Sequence, residues 1–184
     1  MNILIVDDHA SNLKQLRAQL EMESHTVLEA ANGVEALQVL ERESVGAVIS
    51  DTLMPNMDGF RLCREIRKSE KFNSLPFILY TSAYTSPEDR QLAKLVGADR
   101  YVVKPAPARA IFDALHDAAN KVRLGAPVDS TQDESYVLRP YSETLVDKLE
   151  EKNAELQETL RKLQAAHREI VALNRELELR VEQR

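Results

Sequence analysis

Two hydrophobic periods alternate through the first two thirds of the chain. Ile3-Leu4-Ile5-Val6, Thr26-Val27-Leu28, Ala47-Val48-Ile49, Phe77-Ile78-Leu79-Tyr80 and Tyr101-Val102-Val103 are short apolar runs rich in β-branched and aromatic residues. They are too short for core helices and suit strands buried on both faces of a parallel sheet. Around them, Leu13-Leu16-Leu20, Val34-Leu37-Leu40, Phe60-Cys63-Ile66-Arg67, Leu92-Leu95-Val96 and Ile111-Leu115-Val122 recur at helical spacing. Strand and helix alternating five times predict a doubly wound α/β domain over residues 1–124, with right-handed crossovers setting helices on both sheet faces.

The pattern then changes. From Gly125 to Pro140 the chain has the Pro, Gly and Ser punctuation of a connector. Over 141–184 there is neither Gly nor Pro, and Leu149, Leu156, Leu163, Ile170 and Leu177 fall seven apart. With these at d, the a positions are Val146, Asn153, Leu160, His167, Asn174 and Val181, a coiled-coil seam with polar interruptions. A helix of about forty residues extends roughly 60 Å, too far to bury its stripe against so small a domain. Leu at d with Asn153 and Asn174 at a predicts a parallel two-stranded homodimer, because a buried Asn is satisfied by its symmetry mate and penalises other registers.

Composition narrows the function classes. The chain has 184 residues, 43% of them hydrophobic, enough for a core. Its net charge of -6 argues against binding nucleic acid or anionic membranes by bulk attraction. No run approaches the ~20 apolar residues of a membrane span, and the N-terminus lacks the basic and apolar regions of a secretory signal. The single cysteine, Cys63, forms no internal disulfide. The cytoplasm is the expected location. Cys63 lies on an apolar helical face and reads as a core residue, and the four histidines show no metal-ligand spacing.

In a doubly wound sheet, ligands bind where loops leave the carboxyl ends of the strands. Those ends carry Asp7-Asp8, Asp51, Thr81-Ser82 and Lys104-Pro105. Three carboxylates in one crevice oppose one another's ionisation, and a hard divalent cation relieves the conflict. Oxygen ligands with room for water fit Mg²⁺, with Mn²⁺ as the alternative ion. Lys104 adds a compact positive charge and Thr81 a hydroxyl, both suited to phosphoryl oxygens. The set reads as a site for a phosphoryl group on a carboxylate.

These motifs resemble the receiver domains of two-component response regulators. The resemblance rests on Val6-Asp7-Asp8, on the stretch from Asp51-Thr52-Leu53-Met54-Pro55 to Asp58-Gly59, on Thr81 ending the fourth strand, and on Tyr101-Val102-Val103-Lys104-Pro105. It covers about residues 1–124, and implies a flavodoxin-like fold with strand order 2-1-3-4-5. It also implies that Asp51 accepts a phosphoryl group from a sensor histidine kinase or phosphotransfer protein. On the same resemblance Asp8 is a direct Mg²⁺ ligand, Asp7 a ligand mostly through water, and the Leu53 main-chain carbonyl a third contribution. Lys104 pairs with the phosphoryl group, Thr81 and Tyr101 form the switch, and Lys104-Pro105 is a cis bond. The segment after Tyr80 is one residue longer than the commonest family form, which brings in Ser82 as an alternative switch hydroxyl; counting from Pro76 favours Thr81. Leu53 offers no polar group to a hydrolytic water, so self-dephosphorylation is expected to be slow; an acyl phosphate lost within seconds would contradict this. Asp58 is expected to cap the following helix and Gly59 to permit a tight approach.

The ending resembles signalling helices that precede histidine-kinase, sensor or diguanylate-cyclase modules. The expectation is therefore a phosphorylation-switched receiver, itself not an enzyme in the usual sense, whose dimeric coil controls an output absent from these residues. The alternative is a complete adaptor that binds partners through its receiver face or coil. A Mg²⁺-dependent phosphohydrolase is disfavoured, because Leu53 supplies no second acid.

Overall fold

In the computed structural model, residues 1–82, 87–123, 156–168 and 170–171 are described. The chain divides into two compact units, Met1–Pro140 and Tyr141–Arg184. In the first, strands β1 (Asn2–Val6), β2 (Thr26–Ala30), β3 (Ala47–Ser50), β4 (Phe77–Thr81) and β5 (Arg100–Val103) alternate with helices α1 (Ala10–Met22), α2 (Gly33–Arg42), α3 (Gly59–Lys68), α4 (Pro87–Leu95) and α5 (Ala108–Arg123). The sheet order is β2-β1-β3-β4-β5 and every pairing is parallel. Each apolar run of the sequence has become a strand.

Burial follows position in the sheet. β1, β3 and β4 are buried almost throughout, as a parallel sheet covered on both faces requires. The edge strands depart from the expectation of two-sided burial. β2 is buried only at Val27 and Ala30, and β5 is half-buried along its length, because an edge strand has a neighbour on one side only. One core cluster joins Ile3, Ile5, Ile49 and Ile78 of the sheet to Leu16 and Leu20 of α1 and Ile111 and Leu115 of α5. On the α3 side Phe60, Leu62, Cys63 and Ile66 are buried. Cys63 is the core residue expected: its thiol donates to the Val96 carbonyl at 3.4 Å, and burial pushes it up to about 12. In α2 the buried face runs through Gly33, Ala36 and Leu40, whereas Val34 is exposed.

Two caps fix the helix starts. Asn32 accepts from the Val34 and Glu35 amides, and Asp58 accepts from the Arg61 amide at 2.8 Å. Gly59 meets its expectation too: a Cβ there would collide with the Asp51 main-chain carbonyl. The Asp51-to-Asp58 loop is thereby folded tightly against the strand that delivers Asp51.

In the second unit, residues 156–168 form a helix whose Leu156, Leu160 and Leu163 are exposed, as are Ile170 and Val171. His167 is exposed too, and the other seam positions, Val146, Leu149, Asn153, Asn174, Leu177 and Val181, lie outside the described residues. Among the described residues no helix is long and apolar enough to cross a membrane.

Candidate functional site

The carboxyl ends of β1, β3, β4 and β5 bring four of the expected residues together. Asp7 directly follows β1, Asp51 directly follows β3, and Lys104 directly follows β5. The Asp51 amide donates to the Val6 carbonyl at 2.8 Å and the Lys104 amide to the Thr81 carbonyl at 2.8 Å, so the sheet ladder itself sets the spacing of the side chains. Lys104 Nζ donates to Asp7 Oδ2 at 2.5 Å and to Asp51 Oδ1 at 3.0 Å. All three side chains are largely shielded, with 7% (Asp7), 11% (Asp51) and 14% (Lys104) of their surface exposed. The Lys104-Pro105 bond is cis, as the resemblance implied.

Two buried carboxylates share one cation. Burial pushes the Asp51 carboxyl above the ordinary carboxylate range, against the pull of Lys104 and with Asp7 adding to the rise. Burial alone would lower the Lys104 ammonium, but Asp51 and Asp7 outweigh it and hold Lys104 above its usual value. The leading causes differ, burial at Asp51 and the two carboxylates at Lys104, but two carboxylates facing one ammonium leave negative charge in excess, a condition that favours a second cation.

Asp7 is the more tightly held carboxylate. Its Oδ1 accepts the His9 amide at 2.8 Å, and Asn12 Nδ2 donates to both its oxygens at 3.0 Å. Asp8 lies outside this knot, more exposed, with its Oδ1 2.7 Å from His9 Nδ1. Asp7, Asp8 and His9 offer ligand atoms within 4.8 Å of one another. His9 carries no metal-ligand spacing in the sequence, and the structure sets it beside Asp8, the most accessible acid of the crevice.

Thr81 closes β4, the strand end that counting from Pro76 selects, and is fully buried. Its hydroxyl is 2.5 Å from Thr52 Oγ1, which is also fully buried. Ser82 is exposed and lines a cleft of about 270 Å³ together with Asn12, Gln15, Tyr80, Lys104 and Pro105. Tyr101 is half-buried on β5, and Leu53 is half-buried in the loop after Asp51. Three residues of the site went unread in the sequence. Asn12 has a detectable signal, an amide on the first helical turn after the acidic pair. Thr52 and Tyr80 have none beyond their adjacency to Asp51 and Thr81.

Comparison with known proteins agrees with this geometry. The sequence profile of the response regulator receiver domain matches residues 3–116. The chain is 45% identical over 105 residues to an uncharacterized 14.6 kDa protein in the sodA1 3′ region of Leptolyngbya boryana, covering 57% of this chain and 79% of that one. It is 39% identical over 103 residues to the probable transcriptional regulator ycf27 of Porphyridium aerugineum, covering 56% of this chain but only 41% of that regulator. Among solved structures, it is similar to the receiver domain of sensor histidine kinase PA1611 from Pseudomonas aeruginosa, with a TM-score of 0.59 and 28% identity over 65% of this chain and 97% of that one. In that structure a magnesium ion is coordinated in the active-site cleft.

Proposed function

The chain belongs to the response regulator receiver domain family, and from that premise we propose that Asp51 accepts a phosphoryl group and that Lys104, Thr81 and Tyr101 read its presence. The observation that carries the reading is the Lys104 ammonium bridging the Asp7 and Asp51 carboxylates at neighbouring strand ends. An Asp51 oxygen attacks the phosphorus of a phosphohistidine on a sensor kinase or phosphotransfer protein. The P–N bond breaks, its electron pair leaves on the imidazole nitrogen, and an acyl phosphate remains on Asp51. Lys104 then turns from carboxylate to phosphoryl oxygen as its counter-ion.

The acid set fits Mg²⁺, which supplies charge neutralisation for the phosphoryl oxygens. Asp7 already accepts from Asn12, His9 and Lys104, which favours Asp8 as a direct ligand and Asp7 as one acting through water. Asp51 and the Leu53 carbonyl complete the protein's share. Mn²⁺ satisfies the same donors. Thr81 in its phosphorylated-state position leaves Thr52 for a phosphoryl oxygen, and Tyr101 on the adjoining strand responds to the space this changes. The coil would carry that state, as a parallel homodimer, to an output module of the histidine-kinase, sensor or diguanylate-cyclase type.

The test is labelling by acetyl phosphate with Mg²⁺, followed by intact mass. The parent chain is expected to gain one phosphoryl group and Asp51→Asn none. Labelling of Asp51→Asn at the parent's level overturns the assignment.

A further inference from the structure

Tyr80 is the side chain of the crevice that the functional reading leaves unused. It is the penultimate residue of β4, so it projects to the opposite face from Thr81 and packs against the cluster of Ile5, Ile49, Ile78 and Ile111. Its ring faces the reacting groups: Lys104 Nζ lies 5.2 Å from the ring centroid, within the range of a cation–π contact. Its hydroxyl accepts the Ala106 amide at 3.4 Å, two residues beyond Lys104. One side chain thus touches both the ammonium and the loop that follows it.

The ammonium is therefore bounded by two kinds of surface. Asp7 and Asp51 hold it by charge at 2.5 and 3.0 Å. A phosphoryl group on Asp51 and a divalent cation at the acids would compete for both of those contacts. The ring face competes for neither, so it is the part of the Lys104 setting that persists when the carboxylates change partners. A lysine needs such a wall, because its charge sits on a flexible four-carbon stem with no fixed fork of its own.

We infer that Tyr80 is a positioning residue for phosphoryl transfer: its ring face holds the Lys104 ammonium beside Asp51. The inference rests on the reading of Asp51 as the acceptor.

The test uses the full chain and two variants. Tyr80→Phe keeps the ring and loses the hydroxyl, whereas Tyr80→Met fills similar space with no ring face. With acetyl phosphate and Mg²⁺, Tyr80→Met is expected to lower the rate constant for Asp51 phosphorylation by about 2- to 30-fold, the span one cation–π contact supplies. Tyr80→Phe should stay within about two-fold of the parent, because a 3.4 Å hydrogen bond is a weak one. A second readout needs no phosphorylation: the Lys104 Hε protons should be shifted upfield by the ring in the parent and in Tyr80→Phe, and return to ordinary positions in Tyr80→Met. Tyr80→Met labelling at the parent's rate overturns the inference, as does Tyr80→Phe slowing as far as Tyr80→Met. Ordinary Lys104 Hε shifts in the parent overturn it too, whatever becomes of Asp51. A parent that takes no phosphoryl group on Asp51 while showing the ring-shifted Lys104 signals overturns the role in transfer and the functional reading together.

Discussion

Thr52 and Thr81 meet through two fully buried hydroxyls at 2.5 Å, so on the proposed switch role of Thr81, Thr52 is a partner it would give up to reach a phosphoryl oxygen. Thr52→Val removes that partner at similar volume. Its expected cost is about 1–3 kcal/mol of unfolding free energy, the usual penalty for stripping a buried polar group of a hydrogen bond, measured by urea titration. On the proposed switch, the same change would remove a contact that favours the unphosphorylated arrangement. Thr52→Val should therefore bind the phosphoryl analogue beryllofluoride more tightly than the parent, and equal or weaker binding in a titration would count against the latch. This pair also shows what the sequence could and could not carry. Asp7, Asp51 and Lys104 were legible because each sits at the end of an apolar run, and in a parallel sheet all such ends share one edge. Thr52 and Thr81 are separated by 29 residues with no period linking them. Each alone reads as an ordinary loop or strand residue, and their contact exists only once β3 and β4 are in register.

Among elements, the corresponding surprise is Arg67. Its position on the α3 apolar face was legible from the helical period, but its partners were not. It is buried and donates to the carbonyls of Gly97 at 2.8 Å, Asn73 at 3.1 Å and Leu75 at 2.8 Å, while its NH2 group reaches Asp99 at 2.8 Å. Asp99 in turn accepts the Phe77 amide at 2.9 Å. One guanidinium therefore ties the end of α3 to the start of β4 and to the turn before β5. Gly97 is part of the fit: its φ is +91°, and a Cβ there would lie 2.9 Å from the Arg67 Cγ. Because β4 begins at this knot and ends at Tyr80 and Thr81, the register of the functional strand end depends on it. Asp99→Asn or Arg67→Met alone strands a buried charge or its partners and should cost about 3–5 kcal/mol in urea unfolding. The double variant removes both charges and should recover part of that loss, giving a favourable coupling in the double-mutant cycle. Additive costs would show that the two side chains act separately.

For the whole molecule, the open question is what covers the apolar stripe of the second unit. Leu156, Leu160 and Leu163 are 54–65% exposed on the helix 156–168. Isolated helices of that length are marginal in water, and the Glu158–Lys162 pair at 2.8 Å adds only a few tenths of a kcal/mol at such exposure. A second copy of the chain at the same stripe would supply the missing burial. The full chain should then run in light scattering at twice its 20.8 kDa mass, whereas residues 1–124 alone, or the full chain carrying Leu163→Lys, should run as monomers. A monomeric parent at micromolar concentration would remove the coil from the proposal. If the phosphorylated state and the dimer are coupled, the coupling must be reciprocal. Whatever factor beryllofluoride applies to the dimer dissociation constant, dimerisation must apply to beryllofluoride affinity. Comparing that affinity in the parent and in Leu163→Lys therefore tests signal transmission directly. Allosteric coupling is commonly about 5- to 150-fold. Identical affinities in dimer and monomer would mean that the two units share a chain without sharing a switch.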